Sequence, residues 1–242
     1  MSDTNADFFS DFPSDSMYQE AKRVKQGLQT IDQRFEPLAS WISQEYSVSV
    51  LHISRKFQRH SKKLSLYIYL NSNEDKTTLY QGGQDWKEKD VDKETAIAHK
   101  YIELASKQKP VINLQFHTIF NRLPIRDDIY VVYFSLEESA VSEANESIPR
   151  EKIDTLQRAF ADNRIWLFSR CFYSTTLFVF TDEQKAELKK EAIFKTIEDS
   201  YFDLLKQYDE FNYWTRHRFG LHIQSKETLD RNHEGSFFYY YR

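Results

Sequence analysis

Leu114–Phe134 reads LQFHTIFNRLPIRDDIYVVYF, and Leu221–Tyr241 reads LHIQSKETLDRNHEGSFFYYY. The two stretches are equally long and align without a gap. Each opens with an alternating run, continues through a polar connection and closes in an aromatic and β-branched run. Alternation with a period of two is typical of β-strands. The match therefore predicts that one structural module occurs twice in the chain.

A shorter match lies upstream of each long stretch. Ser54-Arg55-Lys56-Phe57 matches Ser169-Arg170-Cys171-Phe172, and both segments lie between two strand-like runs. An arginine within an apolar strand pattern is typically held by a salt bridge to a neighbouring helix. We therefore predict a structural role for Arg55 and Arg170, and a duplicated ligand-binding arginine is the alternative.

The hydrophobic pattern predicts an α+β fold of two repeated modules, each with the element order α-β-β-α-β-β. Short connections favour antiparallel neighbours, so each module is expected to form an antiparallel sheet with helices packed on one face. The predicted helices are Tyr18–Tyr46, Asp92–Lys107, Arg150–Ala161 and Thr181–Tyr208. The predicted strands are Ser47–Phe57, Leu64–Leu70, Val111–Ile119, Ile129–Ser135, Ile165–Phe172, Thr176–Phe180, Phe219–Gln224 and Ser236–Tyr241.

These elements divide the chain into four parts. Residues 1–17 contain four aspartates and no basic residue, which is typical of a disordered acidic arm. The first module is expected at 18–136 and the second at 150–242. Residues 137–149 are acidic and polar, so we predict a linker between the two modules there.

Composition excludes several classes of protein. Cys171 is the single cysteine, so disulfides and cysteine-ligated zinc sites are excluded, and we expect a buried, unreactive thiol. No apolar run approaches the ~20 residues that span a bilayer. The N-terminal sequence also lacks the pattern of a signal peptide. We therefore expect a cytoplasmic protein with no membrane partner.

Motifs for catalysis, metals and cofactors are weak in this sequence. Gly82-Gly83 lacks the context of a phosphate-binding loop. His99 and Glu103 share a predicted helix face, but no third ligand accompanies them. Asp127-Asp128 is expected to form a turn before a strand. We therefore assign no catalytic residue, and we predict no cofactor and no metal.

Two segments have the chemistry of a binding surface. The first is the acidic arm, where aromatic anchors among aspartates resemble a short linear binding motif. The second is a basic hairpin at 55–63, whose cations and interleaved Phe57 are suited to phosphate contact and base stacking. The candidate partner-binding residues are Phe8, Phe9, Phe12, Arg55, Lys56, Arg59, Lys62 and Lys63.

Three hypotheses of function follow from these observations. The first is a non-catalytic protein-binding protein, such as an inhibitor or an immunity-type partner of one target protein. The second is a nucleic-acid-binding protein that uses the basic hairpin. The third is an enzyme with a site between the two modules, built from scattered residues such as His117, Asp127 and Arg170.

Overall fold

The structure is a computed structural model that describes residues 15–58, 63–80, 90–107 and 125–242. It shows the α+β fold of two similar modules that the sequence predicts. The contacts divide the chain into Met1–Glu138 and Ser139–Arg242, called here the first and the second unit. The predicted strand Val111–Ile119 lies outside the described residues.

The first unit contains a three-stranded sheet and its flanking helices. Its core lies where α2 and α4 pack on the sheet, with Ile42, Leu66, Ile97 and Val131 fully buried. The helices are α1 (Asp15–Lys25), α2 (Glu36–Tyr46), α3 (Asn73–Thr78), α4 (Val91–Lys107) and the start of α5 (Leu136–Glu146). The strands are β1 (Val50–Gln58), β2 (Lys63–Leu70) and β3 (Ile129–Ser135), in the order β1-β2-β3.

The second unit repeats this arrangement with its own core. Phe168, Leu177, Ile197 and Leu205 are fully buried between the sheet and its helices. After α5, the helices are α6 (Arg150–Phe160), α7 (Asp182–Leu188), α8 (Ala192–Lys206), α9 (Lys226–His233) and α10 (Phe237–Tyr240). The strands are β4 (Ile165–Cys171), β5 (Ser174–Val179) and β6 (His222–Ser225), in the order β4-β5-β6.

Both sheets are mixed, whereas the sequence had suggested antiparallel sheets. The hairpins β1–β2 and β4–β5 are antiparallel. The third strand of each sheet is parallel to the second. A parallel neighbour needs a long crossover connection, and α3–α4 and α7–α8 provide it in the two units.

The two units share irregular details as well as element order. Helices α2 and α6 both end in a left-handed residue, Ser47 with φ of 56° and Ala161 with φ of 48°. Strands β1 and β4 both have a register shift near their first residues. Helices α3 and α7 both begin with a capping box, at Ser72 and at Thr181. Such matches indicate a true structural repeat.

In each unit, a glutamate just after the third strand accepts a hydrogen bond from the first helix of the crossover, and the two glutamates are at equivalent positions. Glu137 Oε2 accepts a hydrogen bond from Asn73 N at 2.7 Å. Glu227 Oε2 accepts one from Asp182 N at 3.1 Å. Both glutamates follow the last strand residue by two positions, so β3 and β6 are the equivalent strands.

The long sequence match was therefore misaligned. It placed Ile129–Phe134 opposite Ser236–Tyr241, but Phe237–Tyr240 forms the short helix α10. The aromatic rings of α10 pack against Phe178, with Phe237 and Tyr240 each at 5.3 Å between ring centroids. Phe178 lies on the sheet face opposite the core residue Leu177, so helices cover both faces of this sheet, not one.

Two long predicted helices are each divided in two. The predicted helix Tyr18–Tyr46 is divided into α1, which ends at Lys25, and α2, which begins at Glu36, and Gly27, whose φ is 73°, follows the end of α1. Glycine adopts this left-handed conformation without a steric penalty, and Gly27 N caps the carbonyl of Val24 at 3.0 Å. Pro37 lies in the first turn of α2, where no N–H is required. The predicted helix Thr181–Tyr208 is likewise divided into α7 and α8.

The segment 137–149, predicted as a linker, is mostly helical. Helix α5 spans Leu136–Glu146, and Val141, Ala144 and Ile148 are buried in the core of the second unit. Small apolar residues spaced three or four positions apart form the buried stripe, and the acidic residues between them concealed it in the sequence. Asp15, Ser16 and Met17, predicted to belong to the arm, form the start of α1.

Candidate functional site

The first unit contains an open groove of about 460 Å³. Pockets of this volume lie in the size range of ligand-binding sites. The groove is polar, with a smaller apolar part. Its charged and ionisable residues are Glu20, Asp32, Arg34, His52, Arg55 and Lys56. Its apolar and aromatic residues are Met17, Phe35, Ile53 and Tyr67.

Three segments of the first unit, together with Tyr67 of β2, form the groove. Helix α1 contributes Met17 and Glu20, and the connection between α1 and α2 contributes Asp32 and Arg34. Strand β1 contributes side chains from both faces, because His52 and Lys56 alternate with Ile53 and Arg55. The groove therefore follows β1, which is one of the two edge strands of the described sheet.

A hydrogen-bonded ion pair and a buried histidine shape the electrostatics of the groove. Arg34 Nε lies 3.0 Å from Asp32 Oδ1, and hydrogen bonding to Arg34 lowers the pKa of Asp32 to about 2. His52 is only 4% exposed, and its Nδ1 lies 3.4 Å from Glu20 Oε2. Burial lowers the pKa of His52, although Glu20 and Asp32 oppose this shift.

The structure separates two members of the predicted basic cluster. Arg55 points to the helix-covered face of the sheet, where its Nη1 donates to Tyr101 Oη at 2.9 Å. Lys56 is exposed on the other face. Lys63 is an exposed residue at the start of β2. Arg59, Lys62, Phe8, Phe9 and Phe12 lie outside the described residues.

In the second unit, the place that corresponds to the groove beside β1 is closed. Arg170 Nη1 donates to the carbonyl oxygens of Asn145 at 2.6 Å and Ile148 at 2.8 Å. These carbonyls lie at and just after the C-terminal end of α5, where a cation is favoured by the helix dipole. The predicted structural role of Arg170 is therefore confirmed, with backbone carbonyls in place of the expected salt bridge.

Asn145 connects this closed end to the interior of the second unit. Its side chain is fully buried, and Oδ1 accepts hydrogen bonds from Tyr201 Oη and Thr175 Oγ1, both at 3.0 Å. Its Nδ2 donates to the carbonyl of Phe172 at 2.8 Å. Burial raises the pKa of Tyr201 to about 12. Asn145 therefore holds the β4–β5 connection against the core.

That connection is a two-residue aromatic turn, Phe172–Tyr173. Cys171 pairs with Ser174, so only these two residues join β4 to β5. Phe172 has a left-handed φ of 51°, and both side chains are 64% exposed. The predicted strands Ile165–Phe172 and Thr176–Phe180 placed a connection here, but its aromatic pair was not singled out, because two-residue hairpins are normally marked by Asn-Gly or Asp-Gly. The adjacent Cys171 is half-buried, whereas full burial was expected.

The remaining sequence candidates lie apart from the groove and the turn. Asp127-Asp128 forms the predicted turn, in which Asp128 Oδ2 accepts from Ile125 N at 2.8 Å. Glu103 Oε2 and Oε1 accept from Lys100 and Lys107, and these bonds lower its pKa to about 2. His117, suggested for an enzymatic site, lies outside the described residues.

Three broader comparisons complete the description. Protein-family models, curated protein sequences and solved structures gave no match to this chain. Within 15–58, 63–80, 90–107 and 125–242, no helix has the length and apolar character needed to cross a membrane. The same residues contain no group of three or more His, Cys, Asp or Glu side chains arranged to hold a metal ion.

Proposed function

We propose that this chain is a non-catalytic protein-binding protein, of the inhibitor or immunity type, and that the aromatic turn Phe172–Tyr173 is its principal contact. The observation that supports this proposal is the exposure of both rings at the tip of a rigid hairpin. Phenylalanine and tyrosine are enriched in the buried centres of protein interfaces.

The turn is unfavourable for the isolated chain. A left-handed conformation is destabilising for a non-glycine residue by roughly 1–2 kcal/mol, and Phe172 adopts it. A glycine at the first turn position, where φ is positive, would satisfy the turn without exposing two rings. Burial of one such ring in a partner contributes about 2–3 kcal/mol. The two exposed rings would therefore gain from burial in a complex.

The turn is also preorganised for binding. Asn145 Nδ2 contacts the carbonyls of Phe172 and Ser174, at 2.8 Å and 3.3 Å, and Asn145 itself is fixed in the core. A rigid backbone loses little conformational entropy when its side chains enter a pocket. We expect the partner to be a folded protein that offers an apolar pocket to the hairpin tip.

The test replaces the turn by Phe172→Gly with Tyr173→Ser. We expect the free energy of unfolding of the free protein to rise by about 1 kcal/mol, because the strain at Phe172 is relieved. We expect the affinity for the partner to fall at least a hundredfold, because two buried rings are lost.

The experiment begins with capture of the partner from lysate of the source cells, with and without nuclease treatment. The partner is then purified and its Kd measured by titration calorimetry against both proteins. Phe180→Ser is the matched control, because Phe180 is a 43% exposed aromatic beyond the opposite end of β5. Equal affinity of the turn variant and the parent would contradict the proposal, and nuclease-sensitive capture would favour the nucleic-acid hypothesis.

A further inference from the structure

We infer that the groove of the first unit is a docking site for residues 1–14 of the chain itself. This inference concerns a surface other than the aromatic turn, and it holds or fails independently of the proposed function. Residues 1–14 precede α1 directly and lie outside the described residues. Three features of the groove point to them as its occupant: its position, its charge and its apolar wall.

The described part of the chain begins beside the groove. Ser16 and Met17, in the first turn of α1, line the groove. An extended chain advances by about 3.3–3.6 Å for each residue. Phe12 therefore has a reach of about 10 Å from Asp15, and Phe8 about 23 Å. Both rings can enter the groove without any change in the described fold.

The charge of the groove complements residues 1–14. Those residues include Asp3, Asp7 and Asp11 and contain no lysine or arginine. Three permanent cations, Arg34, Arg55 and Lys56, line the groove against two carboxylates. Lys56 is exposed and forms no ion pair with any described residue, so its ammonium is available to an incoming carboxylate.

The apolar wall of the groove suits a phenylalanine ring. Phe35, Ile53 and Tyr67, which are 7%, 1% and 4% exposed, line the groove together with the half-buried Met17. Residues 1–14 offer three rings, Phe8, Phe9 and Phe12, spaced between the aspartates. An aromatic ring flanked by carboxylates thus meets an apolar surface flanked by cations, which is the pairing expected of a short linear motif and its groove.

Because residues 1–14 are covalently attached to the chain, a weak intrinsic affinity is sufficient for them to occupy the groove. A short tether gives an effective concentration in the millimolar range. With an intrinsic Kd of about 0.1 mM, about nine tenths of the molecules would have the groove occupied. The same occupancy would reduce the apparent affinity for an identical free peptide about tenfold.

The experiment measures binding of a fluorescently labelled peptide of residues 2–14 by anisotropy, at moderate salt. The proteins are the full chain and the full-length variant Phe8→Ser, Phe9→Ser, Phe12→Ser, in which the tethered competitor is removed. We expect the variant to bind the peptide about tenfold more tightly than the full chain. Adding Lys56→Glu to that variant should abolish binding, whereas Lys25→Glu, an exposed lysine at the other end of α1, should not.

A second readout tests occupancy of the groove in the full chain directly. Hydrogen exchange of the peptide that contains residues 50–58 should be faster in the triple variant than in the parent, while peptides from β4 and β5 serve as an internal control. The inference is overturned by equal peptide affinity of both proteins, by no binding to either, or by binding that survives Lys56→Glu. Equal binding of a scrambled peptide would also overturn it, since charge alone would then explain the contact.

Discussion

Arg55 and Arg170 occupy equivalent positions on equivalent strands, yet their surroundings differ. Arg170 is closed off by backbone carbonyls at the end of α5. Arg55 donates to Tyr101 on one side and lines an open groove on the other. The comparison shows that a repeated scaffold can keep the same strand residue as a structural anchor in one copy and place it beside an open groove in the other.

The length of one connection accounts for this difference. Helix α5 ends at Glu146 and α6 begins at Arg150, so the end of α5 is held close to β4. Helix α1 ends at Lys25 and α2 begins at Glu36. The longer connection places the Asp32–Arg34 ion pair in the wall of the groove and leaves the space beside β1 open.

The largest effect is expected from Asn145→Ala. The change leaves the hydroxyls of Tyr201 and Thr175 without their shared acceptor in a fully buried site. We expect a loss of about 4 kcal/mol from the free energy of unfolding of the second unit, from two unpaired groups and a small cavity. Hydrogen exchange at increasing urea concentration measures this loss for each unit separately. An equal loss in peptides of the first unit would show that the two units do not unfold independently.

Replacing the two arginines in turn tests the comparison directly. We expect Arg170→Met to destabilise the second unit by about 3 kcal/mol, because several charge-assisted hydrogen bonds to carbonyls are lost. We expect Arg55→Met to destabilise the first unit by about 1 kcal/mol, because the bond to Tyr101 is lost. Both values come from urea unfolding followed in each unit. Equal losses would mean that the open groove leaves Arg55 as structurally important as Arg170.

The smallest effect is a difference in the response to mild acid. Burial holds the pKa of His52 below its unfolded value of about 6.5. The unfolded chain therefore takes up a proton first, so the first unit loses stability as the pH falls below about 6.5. The pKa of Asp182 is lowered by hydrogen bonds from Ser225 and Thr228. Its contribution to the second unit is complete above an unfolded pKa of about 3.9 and is lost only below it.

The measurement compares the two units at pH 8 and pH 5 by hydrogen exchange, with His52→Gln as the control. We expect a selective loss of protection in the first unit of the parent protein, and none in the control. A loss that persists in His52→Gln would assign the acid sensitivity to another group.

Much of the fold is readable from local patterns in the sequence. Alternation gave the positions of β1, β2 and β3, and apolar spacing gave α4 almost residue by residue. The shorter match around Arg55 and Arg170 was also in the correct register. The parallel direction of β3 and β6 was not predictable in this way, because it depends on how the crossover helices pack and not on the strands themselves.

The candidate sites were less accessible to sequence reasoning than the fold. Glu20, Arg34, His52 and Lys56 come from three separate segments, and no spacing rule relates them. The connection between β4 and β5 was predicted, but its two aromatic residues were not among the candidates, because they contradict the usual chemistry of a hairpin. That contradiction was itself a signal, since local rules are most often broken at functional positions.

The junction between each third strand and its crossover helix shows how far the two copies have diverged. In the second unit Ser225 Oγ donates to Asp182 Oδ1 at 2.5 Å. At the equivalent places of the first unit, Ser135 Oγ and Asn73 Oδ1 are buried and have no hydrogen-bond partner among the described residues. An unpaired buried polar atom favours states in which water reaches it. We therefore expect this junction of the first unit to open locally more readily than its equivalent in the second unit. The second unit has the carboxylate of Asp182 where the first unit has the amide of Asn73.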